Sequence, residues 1–322
     1  MQGDPSAKWP ISADEARRRP GASASHDAHS VKVSASYDLI AAYYERWQRA
    51  QKHYADYVPD VLACTGLQDH PGGLKKALDL GCSSGAMTEA LAERGFEVWG
   101  MDLSAQMIEV ARARTETQTE TERACESAKR PIHWIQGDFC DTSALEKLEG
   151  RKFDLILASL DTYGHVAPER LIQHLKQIKA FLAPAGILVF DVLEARYFTD
   201  VLPSIQTARF DPWILMVENE AAMWSVARRK EFLSAAQKAQ AAPSLRMIWQ
   251  LSPSSKNSEL KTQKSDFDEW PHHREWLKAQ LKACGFKSIR VLDSSDSEMD
   301  EAKRRLLTHF PHRLFFFVEN EK

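Results

Sequence analysis

The chain has 322 residues, 43% hydrophobic and 27% charged, with a formal net charge of −3. Such a composition can bury a proper core, and it excludes a disordered or fibrous chain. The balanced charge argues against a protein that depends on a broad phosphate-binding face, and no apolar run approaches the roughly 20 residues that span a bilayer.

Residues 1–34 are rich in Ser, Ala, Pro, Gly and charge, with little periodicity, and read as a disordered tail. Arg17, Arg18 and Arg19 hint at a transit peptide, but Asp14 and Glu15 count against one. From Tyr37 to Leu62 apolar and aromatic residues recur at helical spacing, predicting one or two amphipathic helices that form a lid over 35–70. Short apolar runs follow at Ala77–Leu80, Glu97–Met101, Pro131–Ile135, Phe153–Ala158 and Gly186–Val192, with helical patterns near 85–94, 104–114, 142–149 and 167–182 between them. Strand and helix in alternation mean parallel strands joined by crossover helices. The polar stretch 115–130 reads as a surface extension. Residues 193–271 break the rhythm, with extended patterns over 212–230 and 244–252, and predict a partly antiparallel insertion that caps the substrate site. A helix over His273–Cys284 and runs at Ile289–Leu292 and Leu314–Val318 then restore it. The expected fold is a Rossmann-like, doubly wound α/β domain over 35–322, with a seven-stranded, mainly parallel sheet and an antiparallel insertion after strand five. The cysteines (Cys64, Cys82, Cys125, Cys140 and Cys284) are scattered without CxxC spacing, so neither a disulfide framework nor a metal site is expected and the cytoplasm is the default location.

The segment Asp79-Leu80-Gly81-Cys82-Ser83-Ser84-Gly85-Ala86 carries the chemistry. A strand runs into a glycine turn and then into a helix, where Gly81 permits a sharp turn and Gly85 permits close approach of a ligand to the main chain. The next strand ends in Asp102, where a carboxylate is placed to accept the hydroxyls of a ribose, although Asp102 or Ser104 could also cap the following helix. Together these describe a nucleoside-binding crevice. A dinucleotide site would need GxGxxG, whereas positions 83 and 84 are Ser and Ala86 stands where the last glycine would fall. Asp79 is a poor neighbour for a diphosphate and suits a cationic ligand such as a sulfonium bearing an α-amino group.

Asp79 to Gly85 resembles the first motif of class I S-adenosylmethionine-dependent methyltransferases. Met101-Asp102-Leu103-Ser104 with Met107 resembles their second motif, Gly137-Asp138-Phe139 the third, and Phe153–Ile156 through Tyr163 the fourth strand and its loop. Phe181–Ile187 resembles the turn before strand five, and Ala283–Phe286 the turn into strand six. Ser83 departs from the usual middle glycine. The resemblance implies S-adenosyl-L-methionine as cofactor, held by Asp79, Gly81, Cys82 and Gly85 at its methionine end, Asp102, Leu103 and Met107 at the ribose and adenine, Asp138 and Phe139 around the adenine, and Ser159 and Tyr37 nearby. It also implies that the loop Ser159–His165 lies beside the transferable methyl, which makes His165 a candidate general base and Tyr163 and Asp161 candidate substrate contacts. Trp270, His272 and His273 border the insertion and are weaker candidates for the pocket wall, and adjacent histidines do not converge as a metal pair.

The aromatic lid and late insertion resemble small-molecule members, including N-methyltransferases of amines or amino sugars. The expected function is therefore in-line transfer of a methyl group to an N or O atom of a small molecule. No (N/D)PPY-like motif follows strand four, so a nucleic acid partner is not expected, nor is a membrane; the oligomeric state stays open. Rival readings are an NAD-dependent oxidoreductase, a non-catalytic cofactor-binding scaffold, and a methyltransferase acting on protein or RNA.

Overall fold

The computed structural model describes residues 27–50, 54–67, 75–116, 131–201, 205–210, 213–237, 243–255, 261–293, 299–310 and 312–320. Strands β1 (Lys75–Leu80), β2 (Phe96–Asp102), β3 (Ile132–Gln136), β4 (Phe153–Ala158) and β5 (Leu182–Leu193) pair in parallel, and β10 (Ser288–Leu292) and β11 (Arg313–Glu319) add to the β5 edge in antiparallel fashion. The seven strands lie in the order β10-β11-β5-β4-β1-β2-β3. The chain order reverses on either side of β1. In open α/β sheets such a switch point leaves a crevice at the carboxyl ends of the strands, and ligands bind there.

Both faces of the sheet are covered, which is why its strands read as continuous apolar runs instead of alternating ones. Leu78, Ile156, Phe190 and Phe316 face helices α5 (Thr142–Glu146), α6 (Pro168–Ile178) and α8 (Arg274–Ala283). Their sequence neighbours Ala77, Leu155, Val189 and Phe315 face α2 (Tyr54–Thr65), α3 (Ala86–Glu93) and α9 (Glu301–His309). Phe190 and Phe316 are cross-strand partners and stack with ring centroids 4.6 Å apart.

The insertion is a separate antiparallel sheet of β6 (Ile205–Phe210), β7 (Trp213–Asn219), β8 (Leu245–Pro253) and β9 (Gln263–Glu269). Its inner face, with Trp213, Leu215, Met247, Trp249 and Phe267, shares a third core with α1 (Ala28–Ala50) and with Met107 of α4 (Ala105–Glu116). Helix α1 is thus clasped between the cap sheet and the main domain.

Four features differ from the sequence reading. Helix α1 starts at Ala28, inside the span read as tail, because Asp27 Oδ1 accepts the Ser30 N–H at 2.7 Å and so caps it; residues 1–26 lie outside the described residues. Only α1 lies over the crevice, since Tyr57, Val61 and Leu62 of α2 belong to the sheet core. Residues 226–237 form helix α7 (Val226–Gln237), whose first five residues fall within the 212–230 segment expected to be extended; Phe232 anchors it in the cap core, and the other described side chains of that helix are partly or fully exposed. Helix α9 escapes the sequence reading altogether, its buried side reduced to Ala302 and Leu306. Most of the 115–130 extension lies outside the described residues, and Thr115 and Glu116 continue α4. No helix among the described residues is long and apolar enough to cross a membrane.

Candidate active site

A cavity of about 900 Å³, counted to its open mouth, occupies the crevice above β1, β2 and β4. Its floor is the turn after β1. Gly81 (φ 68°), Ser83 (φ 48°) and Gly85 (φ 90°) all adopt left-handed backbone, and the N–H groups of Gly81 and Cys82 donate to Met101 O at 2.8 and 3.1 Å, strapping the turn to the end of β2. A side chain at Gly81 would collide with Thr162 at 2.8 Å. Gly85, by contrast, does not line the cavity: a Cβ there would meet the Trp134 ring at 2.5 Å. Its glycine is required by backbone conformation and by packing against Trp134 of β3.

Two carboxylates flank this turn. Asp79 is fully buried; Thr88 Oγ1 donates to its Oδ2 at 2.6 Å, while Oδ1 has no hydrogen-bond partner. Burial raises its pKa to about 7. Asp102 accepts the Ser83 N–H on Oδ2 and the Ser104 N–H on Oδ1, both at 2.8 Å, and burial raises it to about 6 despite those bonds. Ser104 is the residue that caps α4, its Oγ accepting the Met107 N–H at 3.0 Å and donating to Asp38 of α1 at 2.5 Å. Met107 itself is buried in the cap-side core and does not line the cavity, whereas Leu103 does.

At the far end Asp138 and Phe139 line the wall. Asp138 carries more partners than a turn residue would need: Ser30 Oγ donates to Oδ2 at 2.7 Å, both Arg170 guanidinium nitrogens reach the same oxygen at 3.1 Å, and Cys140 N–H donates to Oδ1 at 2.9 Å. Arg170 also binds Asp141 at 2.8 Å and Asp27 at 3.2 Å. This ion cluster ties the start of α1 to α6.

The loop after β4 divides. Ser159, Leu160, Thr162 and His165 line the cavity; Asp161 and Tyr163 do not. Asp161 (φ 70°) turns beneath the loop, where its Oδ1 accepts the Leu193 N–H at 2.8 Å, so it shapes the backbone. Tyr163 is fully buried on the opposite side, its hydroxyl 3.0 Å from His174 Nε2 and its ring against Phe139 and Phe190. Neither is placed to contact a substrate. His272 is also interior, its Nε2 donating to the carbonyls of Tyr163 and Val166 at 3.1 Å, and neither His273 nor Trp270 lines the cavity. His165 remains, with Tyr37 of α1: the Tyr37 hydroxyl and His165 Nε2 are 2.9 Å apart. Behind them, Glu269 at the end of β9 places Oε1 3.4 Å from His165 Nδ1. Burial lowers His165 to about 3 and raises Glu269 well above the ordinary carboxylate value.

The profile of the Methyltransferase domain family matches residues 77–186. The putative methyltransferase YqeM of Bacillus subtilis is 27% identical over 237 residues, covering 72% of this chain and 81% of that protein. Residues 77–186 are a methyltransferase domain, and beyond them the chain resembles S-adenosylmethionine-dependent methyltransferases. Other curated methyltransferases match over about half of their own length. In fold, this methyltransferase is similar to an S-adenosylmethionine-dependent methyltransferase from Clostridium acetobutylicum, with a TM-score of 0.60, 19% identity, and coverage of 89% of this chain and 99% of that one. It is also similar to CalS10, an amino pentose methyltransferase from Micromonospora echinaspora solved with S-adenosylmethionine bound, with a TM-score of 0.55, 17% identity, and coverage of 86% and 95%.

The crevice of the methyltransferase fits its cofactor. An unsatisfied buried carboxylate oxygen is costly on its own, and Asp79 Oδ1 offers that oxygen to a cation. A pyrophosphate would meet repulsion there, which disposes of the dinucleotide reading. Sequence reasoning missed Ser30, Thr162, Arg170 and Glu269. The first two are small polar residues with no spacing signal, and the last two lie in stretches that match no cofactor motif.

Proposed function

We propose that this methyltransferase methylates an N or O atom of a small molecule, and that Asp79 holds the α-amino group of the cofactor, Asp102 its ribose, and Leu103, Asp138 and Phe139 its adenine. The observation that carries the reading is the roof. Ser30, Val33, Ser34, Tyr37 and Tyr44 of α1 line the cavity, and the cap sheet packs behind them. A polymer would need an open groove here, whereas a largely apolar pocket roofed by α1 suits a compact acceptor beside the cofactor. Likeness in fold to an amino pentose methyltransferase is in keeping with an amine acceptor.

When bound, the cofactor supplies a methyl group activated on a sulfonium. The protein aligns the acceptor behind that methyl, excludes water and disposes of a proton. Alignment falls to the loop after β4, with Ser159, Thr162 and His165, and to Tyr37 opposite; the aromatic packing of Tyr37 against Trp249 and Phe267 stiffens that wall.

The test is incubation with methyl-labelled cofactor and fractionated cell extract. Label in the low-molecular-weight fraction is the expected result. Label confined to protein or RNA overturns the reading.

A further inference from the structure

Glu269 is a buried carboxylate that no cofactor contact requires. It is the last residue of β9, and its neighbourhood is unusually fixed: Trp270 N–H donates to Gly164 O at 2.8 Å, His272 Nε2 grips the carbonyls of Tyr163 and Val166, and His29 Nε2 bonds His165 O at 2.9 Å. A side chain at Gly164 would strike the Asp161 carboxylate, so only glycine fits at this point of the loop that presents His165. The His165 ring is wedged edge-on between Tyr37 and Phe267, at centroid distances of 5.6 and 5.3 Å. Its Nε2 faces the Tyr37 hydroxyl at 2.9 Å, and its Nδ1, buried and without a hydrogen-bond partner, lies 3.4 Å from Glu269 Oε1. Hydroxyl, imidazole and carboxylate therefore stand in series, from the cavity wall inward.

We propose that Tyr37, His165 and Glu269 form a proton relay that carries the acceptor's proton from the cavity to the Glu269 carboxylate without His165 ever becoming charged. This rests on the reading that the acceptor enters the cavity beside Tyr37. The acceptor N–H or O–H proton passes to Tyr37 Oη as the Tyr37 proton passes to His165 Nε2 and the His165 Nδ1 proton passes to Glu269 Oε1. Tyr37 ends as it began, His165 changes tautomer, and Glu269 goes from carboxylate to acid. One proton moves inward and no redox partner is needed. When product leaves, the same steps in reverse return the proton to water in the cavity.

The surroundings suit these roles. A buried imidazolium is disfavoured, and His29 of α1 and Arg313 of β11 oppose it further; a relay that only swaps tautomers avoids it. Burial and the neighbouring Asp161 make Glu269 avid for a proton, with Arg313 opposing. Burial, with Tyr44, Glu269, Asp102 and Asp161, disfavours a free Tyr37 phenolate, so Tyr37 passes a proton on instead of surrendering one. Tyr37 is the catalytic residue of the set, and His165 and Glu269 act through it.

The relay is tested on the cofactor-free protein by nitrogen NMR of its histidines, with the glutamate side-chain carboxyls followed by carbon NMR. With Glu269 ionised, the proton sits on His165 Nδ1; with Glu269 protonated, it sits on Nε2. We expect His165 to stay neutral down to about pH 5, its two ring nitrogens exchanging shifts with the midpoint of the Glu269 carboxyl, and Glu269→Gln to abolish the exchange. Imidazolium signals near the ordinary value of 6.5, a tautomer that ignores Glu269, or an exchange that survives in Glu269→Gln would overturn the relay. Should the Gln variant not fold, coincidence or mismatch of the two wild-type midpoints decides. Because no acceptor is present, the outcome is independent of whether transfer goes to small molecules.

Discussion

Asp102 uses one carboxylate for two structural bonds, to Ser83 N–H and Ser104 N–H, and still lines the cavity. Its charge is therefore not needed to hold the turn, because an amide oxygen can accept one of those bonds. Asp102→Asn is expected to leave the fold intact and to weaken S-adenosylhomocysteine binding by roughly 10- to 100-fold, the worth of hydrogen bonds to a charged acceptor. Calorimetry measures it, and unchanged affinity would remove Asp102 from the ribose. Tyr163 makes the opposite case. It stands in the loop that the family resemblance marks as active, yet its hydroxyl serves buried His174, so Tyr163→Phe is expected to cost about 1 kcal/mol of stability in chemical denaturation. The sequence could give the loop but not the direction of each side chain along it. Asp161 and Tyr163 turn inward and Thr162 and His165 outward because the backbone takes a left-handed step at Leu160 and Asp161 before a short 3₁₀ turn. Neither residue type announces such a step.

At the scale of elements, the parallel strands were legible because burial on both faces demands unbroken apolar runs, and β1, β2, β4 and β5 have them. Strand β9 (QKSDFDE) was not, since it buries little beyond Phe267 and Glu269. The position of α1 was equally hidden. Its hold on the main domain comes from long-range polar contacts: Ser30 and Asp27 with Arg170 and Asp138, and Asp38 with Ser104. Removing the guanidinium strands a mostly buried Asp138 carboxylate and frees the N-terminal end of the roof. Arg170→Ala is expected to speed amide hydrogen exchange over 28–37 by about tenfold or more, equivalent to roughly 1.4 kcal/mol of local opening free energy, with α2 unaffected. Equal acceleration in both helices would mean that the cluster supports the whole domain and not the roof. Glycine packing makes a second prediction at this scale. Trp134 of β3 lies against both Gly85 and Gly100. Gly85→Ala adds a methyl group at a left-handed position in contact with that ring, and is expected to lower stability by about 3 kcal/mol by thermal or chemical denaturation.

Across the whole molecule, two sets of buried groups respond to acid in opposite senses. His165, His174 and His272 surround the loop after β4, and burial lowers them to about 3, 4 and 4. Their folded values lie below the unfolded one, so the unfolded chain binds more protons between about pH 4 and 6.5, and their contribution to stability is lost as pH falls through that window. Asp79 and Asp102 are raised to about 7 and 6. Their folded values lie above the unfolded one, so here the folded chain binds more protons, and their burial destabilises it increasingly as pH rises from about 4 to 7. Asp161, raised to about 7, and Glu269, raised well above its ordinary value, add to the second slope. In the cofactor-free protein the two slopes therefore oppose each other up to about pH 6.5, and stability is expected to fall as pH rises beyond it. A cofactor whose amino group pairs with Asp79 and whose ribose donates to Asp102 favours the ionised form of both. Binding then releases protons below about pH 7, and affinity falls with them. The shift in Tm produced by a fixed excess of S-adenosylhomocysteine is accordingly expected to be greatest near pH 8 and to shrink steadily towards pH 5. Asp79→Asn should bind more weakly at pH 8 and lose part of this pH dependence, the remainder belonging to Asp102. A shift of equal size at both ends of the range, in a protein that folds at both, would mean that neither carboxylate changes its protonation when the cofactor binds.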